Sequence, residues 1–329
     1  MGYIIIDTGT TNTRIRYIEG DSILGEYQSK VGVRNTAIDK STQKLKDALQ
    51  EGISQVIEKS NKSLPDVKKI IAYGMITSNL GIFEIPHLQT PVGIEELSTN
   101  IRKKMFEEIC EKPICFIPGV KNRIGEVTVE NFQDMDIMRG EEVEALGALV
   151  YASRNQDVIY ISPGSHTKFV FIDSEGRIQK CSTTLTGELL WALSKETVLA
   201  SAIPQTLITS IDEAYIKKGI EAVKQYGFSK ACFLVRIMEI FTEATDNQRV
   251  NFIAGAICYH DIISIEKDLK ERDPYIIIGG KKILRELYGT VLKLMNYDED
   301  KIKLLSDDEV ERVSTVAAIK IVEGNHVDK

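Results

Sequence analysis

Asp7 ends the apolar run Ile4-Ile5-Ile6 and is followed at once by Thr8-Gly9-Thr10-Thr11-Asn12, then by the alternating run Thr13-Arg14-Ile15-Arg16. An apolar β-branched run, a small-residue turn and an alternating run predict strand, tight turn, strand. Gly9 lets the backbone come close to a ligand. Thr10, Thr11 and Asn12 add hydroxyl and amide donors to the N–H groups of the turn, a composition suited to phosphate oxygens. Asp7, projecting from the strand end, is placed to hold a hydrated Mg²⁺.

The same chemistry recurs in Val158-Ile159-Tyr160-Ile161-Ser162-Pro163-Gly164-Ser165-His166-Thr167-Lys168-Phe169-Val170-Phe171. With one residue deleted in the turn, Gly164 matches Gly9, Ser165 matches Thr10, Thr167 matches Thr13 and Lys168 matches Arg14. Each copy runs through a polar turn into a third predicted strand, residues 22–27 and 176–182. Any hairpin favours Gly, Ser and Thr in its turn, so one copy alone would say little. Two copies, with a carboxylate on one and a cation on both, predict two hairpins that grip a polyphosphate from both sides. His166 stands out because it lies in the second turn. His87, His260 and His326 form no ligand spacing, and Cys110 and Cys115 lack the partners of a zinc site.

Three further stretches place polar groups at predicted loops. Tyr73-Gly74-Met75-Ile76-Thr77-Ser78-Asn79-Leu80-Gly81 sets two glycines around Ser78 and Asn79, as in a loop that meets a ligand. Asp136-Ile137-Met138-Arg139-Gly140-Glu141-Glu142 leads into a helix that runs to about residue 152. Glu141 and Glu142 in its first turn suit the helix dipole, which would by itself account for them. That helix carries the chain from its first half to its second and should border any cleft between them. Thr183-Thr184-Leu185-Thr186-Gly187-Glu188-Leu189-Leu190-Trp191 reads as a loop entering a helix N-terminus.

Around these stretches the positioning elements follow from periodicity. Residues 29–35 read as a polar loop. Residues 41–59 read as an amphipathic helix with Ser41 as N-cap and Leu45, Leu49, Ile53, Val56 and Ile57 on one side. Residues 69–72 and 114–117 are short strands. The basic cluster Arg102-Lys103-Lys104 is expected on a solvated helix face. Residues 193–265 look almost entirely helical, best of all 250–265. Residues 274–278 form a buried strand, followed by Gly279-Gly280-Lys281-Lys282 and a helix to about 295. A last strand covers 302–305. A closing helix covers 307–322, with Val310, Val313, Val316, Ala317 and Ile321 inward, and residues 324–329 are expected to fray. Both halves thus show three hairpin-connected strands followed by alternating helices and strands, a duplicated α/β pattern with mixed sheets.

With 329 residues, 43% of them hydrophobic, the chain can build two cores. A net charge of −7 without a long basic run argues against nucleic acid as a partner. No apolar run approaches the roughly 20 residues of a membrane span, and the start lacks a signal-type segment. Five scattered cysteines fit reduced thiols. A cytoplasmic protein is expected. No GxGxxG or GxxxxGK[ST] motif stands between a strand and a helix, which disfavours a dinucleotide-dependent oxidoreductase and a P-loop enzyme.

The pattern resembles the actin–sugar kinase superfamily, in which two ribonuclease-H-like domains close on ATP. More narrowly, the chain resembles the 2-dehydro-3-deoxygalactonokinase family. The matching segments are Asp7-Thr8-Gly9-Thr10-Thr11-Asn12-Thr13-Arg14, Gly74-Met75-Ile76-Thr77-Ser78-Asn79-Leu80-Gly81, Met138-Arg139-Gly140-Glu141-Glu142, Pro163-Gly164-Ser165-His166-Thr167-Lys168 and Thr186-Gly187-Glu188-Leu189. They stand in the family's order across residues 4–191; the helical stretch beyond matches by pattern only. The first motif is common to many kinases of this type, whereas the middle three are more specific.

The resemblance implies an α/β fold of two ribonuclease-H-like domains, residues 1–152 and 153–329, with a cleft between them and a helical insertion at about 193–265. It implies transfer of the ATP γ-phosphate to the C6 hydroxyl of 2-dehydro-3-deoxy-D-galactonate, with Mg²⁺. Arg14 and Lys168 would supply positive charge beside the two phosphate turns, and Gly279-Gly280 would lie near adenosine. Glu141 is the expected base, Glu142 the near alternative, and Asp7 a base only if it holds no metal. Arg139 is the candidate for the substrate carboxylate, since a guanidinium binds one bidentately. Ser78, Asn79 and Glu188 are candidates for sugar hydroxyls. Two other readings stay open. One is a phosphatase of the same superfamily, acting on polyphosphate or guanosine pentaphosphate. The other is a sugar-responsive regulator without activity, against which the start of the chain leaves no room for a DNA-binding segment ahead of Asp7.

Overall fold

A computed structural model describes residues 1–153, 155–204 and 208–324. By chain contacts it divides into two compact units. One comprises Met1–Ser153, Ile172–Cys181 and Glu311–Lys329; the other comprises Arg154–Phe171 and Ser182–Val310.

The first unit opens with β1 (Gly2–Thr8), β2 (Thr13–Glu19) and β3 (Ser22–Ser29), three antiparallel strands. Then come α1 (Val33–Asp39), α2 (Gln43–Lys59), β4 (Val67–Gly74), a 3-10 turn (Met75–Thr77), β5 (Leu88–Gln89), α3 (Ile94–Thr99), β6 (Arg102–Phe106), β7 (Cys110–Phe116), β8 (Val120–Lys121), β9 (Ile137–Met138) and α4 (Glu141–Ala148). The main sheet has the order β3-β2-β1-β4-β7-β6. β4 pairs parallel with β1 and with β7. β5, β8 and β9 form a small second sheet. Strand alternation puts Ile4, Ile6 and Ile15 on one face, where Leu45, Leu49, Ile53 and Val56 of α2 cover them. Burial of that face orients the hairpin and so fixes where its turn emerges.

Three local expectations need correction. Residues 29–35 are not all loop, because α1 starts at Val33 behind Gly32. The N-cap of α2 is Thr42, while the Ser41 hydroxyl accepts the Gln43 N–H at 3.2 Å. Arg102, Lys103 and Lys104 lie on β6, the edge strand paired antiparallel with β7, and not on a helix. Exposed cations on an edge strand discourage further strand pairing, so the cluster is solvated as expected but on a strand.

The second sheet repeats the plan, although by chain contacts Ile172–Cys181, with most of its third strand, counts with the first unit. β10 (Val158–Ser162), β11 (Thr167–Ile172) and β12 (Ile178–Thr184) lead into α5 (Thr186–Lys195). The helical stretch holds α6 (Glu213–Tyr226), α7 (Phe228–Phe241), α8 (Asp246–Ser264) and α9 (Glu266–Arg272). β13 (Tyr275–Ile278), α10 (Lys282–Leu294), β14 (Ile302–Leu304) and α11 (Asp307–Glu323) complete the chain. The sheet order is β12-β11-β10-β13-β14, with β13 parallel to both β10 and β14. Ile159, Ile161, Phe169 and Phe171 pack in one core with Ile220, Ile253, Ile257 and Val291. α6 and α8 cross closely at Gly219 and Gly255, where added Cβ atoms would meet Phe252 O and Ile216 O at 2.0 and 2.6 Å.

From Glu311 onward α11 belongs with the first unit. Glu311 bridges Arg16 at 3.3 Å, and Glu323 bridges Lys69 at 3.0 Å. Val313, Ala317 and Ile321 are buried as expected, while Val310 and Val316 are half-buried. The expected frayed end beyond Gly324 lies outside the described residues.

Candidate functional site

In the first unit the turn after β1 is closed by the Gly9 N–H, which donates to Asn12 O at 2.8 Å. Thr10, Thr11 and Asn12 are exposed at its tip. The start of α1 backs the turn. Val33 N–H donates to Gly9 O at 3.3 Å and Arg34 N–H to Thr10 O at 2.8 Å. Gly32 lies so close that a Cβ would be 2.6 Å from the Thr10 carbonyl oxygen. Below the turn, the Thr13 hydroxyl donates to Val31 O at 2.7 Å and approaches the Thr8 hydroxyl at 3.4 Å. Asp7 sits across the ladder from Arg14 and beside Tyr73. Burial pushes its carboxyl above the usual carboxylate range, against the pull of the Arg14 and Arg16 cations. Both arginines bridge Glu26, at 3.5 and 3.1 Å.

Parallel pairing brings the end of β4 beside the end of β1. Gly74, at φ +84°, leaves its α-carbon against the strand end: a Cβ would stand 2.6 Å from Thr8 O and 3.4 Å from Asp7 Oδ1. Gly140, at φ +116°, comes next, since its Cβ would lie 3.5 Å from the Gly74 α-carbon. Both glycines occupy conformations that side chains rarely adopt, which draws the α4 start toward the Asp7 turn. The two glutamates then separate. Glu142 is fully buried, and both its carboxyl oxygens face the Gly140 N–H, at 2.9 and 2.8 Å. Burial first, and the neighbouring Glu141 charge second, push its carboxyl up to about 8. Glu141 is half-buried and accepts the Arg139 N–H at 3.2 Å.

Arg139 is held from three sides. Nη1 donates to the Thr77 hydroxyl at 2.7 Å and Nη2 to Ile85 O at 2.8 Å, with His87 Nδ1 at 3.4 Å. Burial draws its guanidinium below the usual range, opposed by Glu142 and Glu84. Ser78 is buried and serves its own loop: its hydroxyl donates to Met75 O at 2.7 Å and accepts the Leu80 N–H at 3.3 Å. Asn79 is exposed beside it. Through Thr77 and Gly74, the first unit brings Asp7, Ser78, Arg139, Glu141 and Glu142 into one neighbourhood.

In the second unit three glycine-bearing stretches meet at the turn after β10. Gly187, second residue of α5, packs on Gly164, with a Cβ position 2.5 Å from Gly164 O, and Glu188 N–H donates to Ser165 O at 3.0 Å. Gly279 N–H donates to Ile161 O at 2.9 Å. Gly280, at φ +76°, stacks against Pro163 O. His166 and Glu188 pair at 2.7 Å, both exposed. The Lys168 ammonium donates to the Thr183 hydroxyl at 2.5 Å. Beneath the turn lies a buried group that sequence reading missed: Thr167, Thr186, Asp261 and Tyr288, joined at 2.6–3.1 Å. The one signal for it was Asp261, a lone carboxylate in the apolar stretch 250–265, which burial forbids without partners.

Two hairpin-led sheets that share a five-strand order, β6 being an extra edge strand of the first, each with a glycine turn backed by a helix start, define the doubled α/β fold of the sugar kinases. The family model described as 2-keto-3-deoxy-galactonokinase matches residues 7–311. The chain belongs to that family, and its enzyme class is therefore that of a sugar kinase, a phosphotransferase. The 2-dehydro-3-deoxygalactonokinase of Escherichia coli (strain K12) is 24% identical over 285 residues, covering 85% of this chain and 86% of that protein. A Rhizobium meliloti (strain 1021) protein named as probable 2-dehydro-3-deoxygalactonokinase is 26% identical over 206 residues, or 62% of this chain and 60% of its own. The crystal structure of a candidate 2-dehydro-3-deoxygalactonokinase from Sinorhizobium meliloti superposes with a TM-score of 0.76 at 22% identity, covering 97% of this chain and 99% of that one. That structure has the same fold. None of these matches supports the phosphatase reading. Among the described residues, no helix is long and apolar enough to cross a membrane.

Proposed function

We propose that the protein transfers the γ-phosphoryl group of ATP to the C6 hydroxyl of 2-dehydro-3-deoxy-D-galactonate or a close sugar acid, in the cytoplasm. The observation that carries this reading is the family match over 7–311, which spans both glycine turns and the α4 start. Phosphoryl transfer asks chiefly for positioning and charge neutralisation. The N–H groups and hydroxyls at Gly9, Thr10, Thr11 and Asn12, and those at Gly164, Ser165 and His166, bind phosphate oxygens, with Arg14 and Lys168 supplying positive charge. Gly279 and Gly280 bound the adenosine. We assign these parts to two ribonuclease-H-like domains, residues 1–152 and 153–329.

Asp7 fits a metal that arrives on phosphate. Among the described residues no three His, Cys, Asp or Glu side chains cluster as a protein-only cage. A single carboxylate beside a phosphate turn is the usual protein share of a Mg²⁺ site. When bound, Mg²⁺ would neutralise charge on the polyphosphate.

Glu141 takes the proton from the acceptor hydroxyl. Its half-buried carboxylate supports this choice over Glu142, which is enclosed and turned to the Gly140 N–H. Arg139 binds the substrate carboxylate, its guanidinium oriented by Thr77 and Ile85. Asn79 and Glu188 contact sugar hydroxyls, while Ser78, whose hydroxyl is engaged within its own loop, holds that loop in shape. A coupled assay of ADP release across a panel of sugar acids tests the reading. Turnover with the 2-keto-3-deoxy acid is expected; release of phosphate without any acceptor would replace the kinase with a phosphatase.

A further inference from the structure

We propose that Asp261 and Tyr288 are positioning residues for ATP, setting the second glycine turn through the hydroxyls of Thr167 and Thr186. The inference rests on the kinase reading above; Asp261 and Tyr288 lie outside every motif that carried that reading, whereas Thr167 and Thr186 lie within two of them.

Thr167 is the first residue of β11, three positions beyond Gly164. Thr186 is the first residue of α5, next to the Gly187 that packs on Gly164. The two hydroxyls touch at 2.7 Å. Tyr288 OH reaches Thr167 at 2.9 Å and Asp261 Oδ2 at 2.6 Å, and Thr186 reaches the same Oδ2 at 2.6 Å. All four side chains are buried, Asp261 at 5% exposure and Tyr288 at 0%. Every hydroxyl here has one proton, and Asp261, when ionised, only accepts. Thr186 and Tyr288 therefore both donate to Asp261, and Thr167 donates to one of those two oxygens. The carboxylate orients the whole group, and its own charge is offset by hydroxyl donors against the burial that raises its pKa.

The placement serves more than packing. The group joins the start of β11 to the start of α5, the two segments whose glycines touch at the turn. It also joins them to α10, the helix that follows Gly279-Gly280. On the same face of α10, three residues before Tyr288, buried Arg285 donates to Gly280 O and pairs with Asp307. One helix thus holds both glycine turns of this unit. A core built for stability alone would fill this site with apolar side chains at lower desolvation cost.

Four variants test the proposal: Tyr288→Phe, Asp261→Asn, Thr186→Val and Thr186→Ser. Calorimetric titration with Mg²⁺-ATP, without acceptor, is read beside KM for ATP and KM for the sugar acid. Tyr288→Phe and Thr186→Val are expected to weaken ATP binding about tenfold, the effect of one lost buried hydrogen bond. KM for the sugar acid should stay near the parent value. Thr186→Ser keeps the hydroxyl and should recover most of the affinity, which separates positioning from simple destabilisation. Should Asp261→Asn fail to fold, the two Thr186 variants still decide. Unchanged ATP affinity in Tyr288→Phe and Thr186→Val, with the parent active, overturns the inference and leaves the kinase intact. A parent that binds no ATP overturns both.

Discussion

The two glycine turns share a plan and differ in where the carboxylate stands. Each follows the strand that enters its sheet, and each is backed by a helix start. A glycine there, Gly32 or Gly187, touches a turn carbonyl, and a backbone N–H binds one. In the first unit the carboxylate is Asp7, at the strand end beside the turn and facing Arg14 across the ladder. Ser162 holds the equivalent place in the second unit, two residues before Gly164. There the carboxylate is Asp261, on a distant helix and buried beneath the turn. The supporting hydroxyls differ to match. Thr13 binds a main-chain carbonyl, Val31 O, whereas Thr167 joins a carboxylate-centred group. The two copies share a frame, with the carboxylate at the strand end in one and in the support beneath the turn in the other. The first unit is therefore expected to carry the reacting chemistry and the second the positioning.

Glu141 puts most weight on the first unit. As a first-turn helix carboxylate it is worth only ~0.3–1 kcal/mol of stability. As a general base it is worth roughly 10²–10⁴-fold in turnover. Glu141→Gln should therefore melt near the parent temperature, bind ATP and lose kcat. A collapse in Glu142→Gln alone would move the base by one residue, and near-parent turnover in both would leave the pair a mere helix start.

Asp7 against Ser162 tests the contrast at matched positions. Asp7→Asn is expected to fold and to lose on the order of a hundredfold in kcat/KM, because the amide no longer stabilises a Mg²⁺-bound polyphosphate. Ser162→Ala should stay within a few-fold of the parent. Equal losses in steady-state assays would erase the distinction between the turns.

Arg139 sharpens the assignment within the first unit. Arg139→Lys keeps the charge and loses the fork, so KM for the sugar acid should rise about tenfold or more with KM for ATP unchanged. A matched rise in both constants would make Arg139 a prop for its loop, through Thr77 and Ile85.

The smallest effect concerns the two buried carboxylates. Burial raises both, but hydroxyl donors oppose the rise at Asp261, whereas the Glu141 charge adds to it at Glu142, up to about 8. A raised pKa means that the folded state binds more protons than the unfolded chain above the ordinary glutamate value, about 4.3. Glu142 therefore contributes stability below that pH and loses it progressively as pH rises to about 8. Thermal melts of Glu142→Gln and parent should converge, or cross in favour of the variant, between pH 5 and about 8. Parallel curves would show that Glu142 is ionised throughout.

The strands, both turns and their duplication were legible in the sequence because they rest on local rules. β-branched runs alternate, turns need Gly, Ser and Thr, and a hydrophobic stripe at helical spacing marks α2. The residues proposed to bind phosphate and the glutamate pair came with those motifs. α1 was not legible, since Val33, Asn35 and Thr36 are poor helix formers and Gly32 precedes them. Its helix exists because its first N–H groups are taken up by the Gly9 and Thr10 carbonyls. The basic run on β6 was legible as solvated and illegible as a strand, because edge position belongs to the sheet and not to the segment. Sequence composition set Glu141 beside Glu142 with equal claims; only the fold buried one and left the other half open. The same holds for Thr167, Thr186, Asp261 and Tyr288, which span 121 positions of chain. Local propensity cannot bring such residues together. Their meeting is decided by sheet order and helix packing, and the desolvation of a buried carboxylate then requires the hydroxyls to be there.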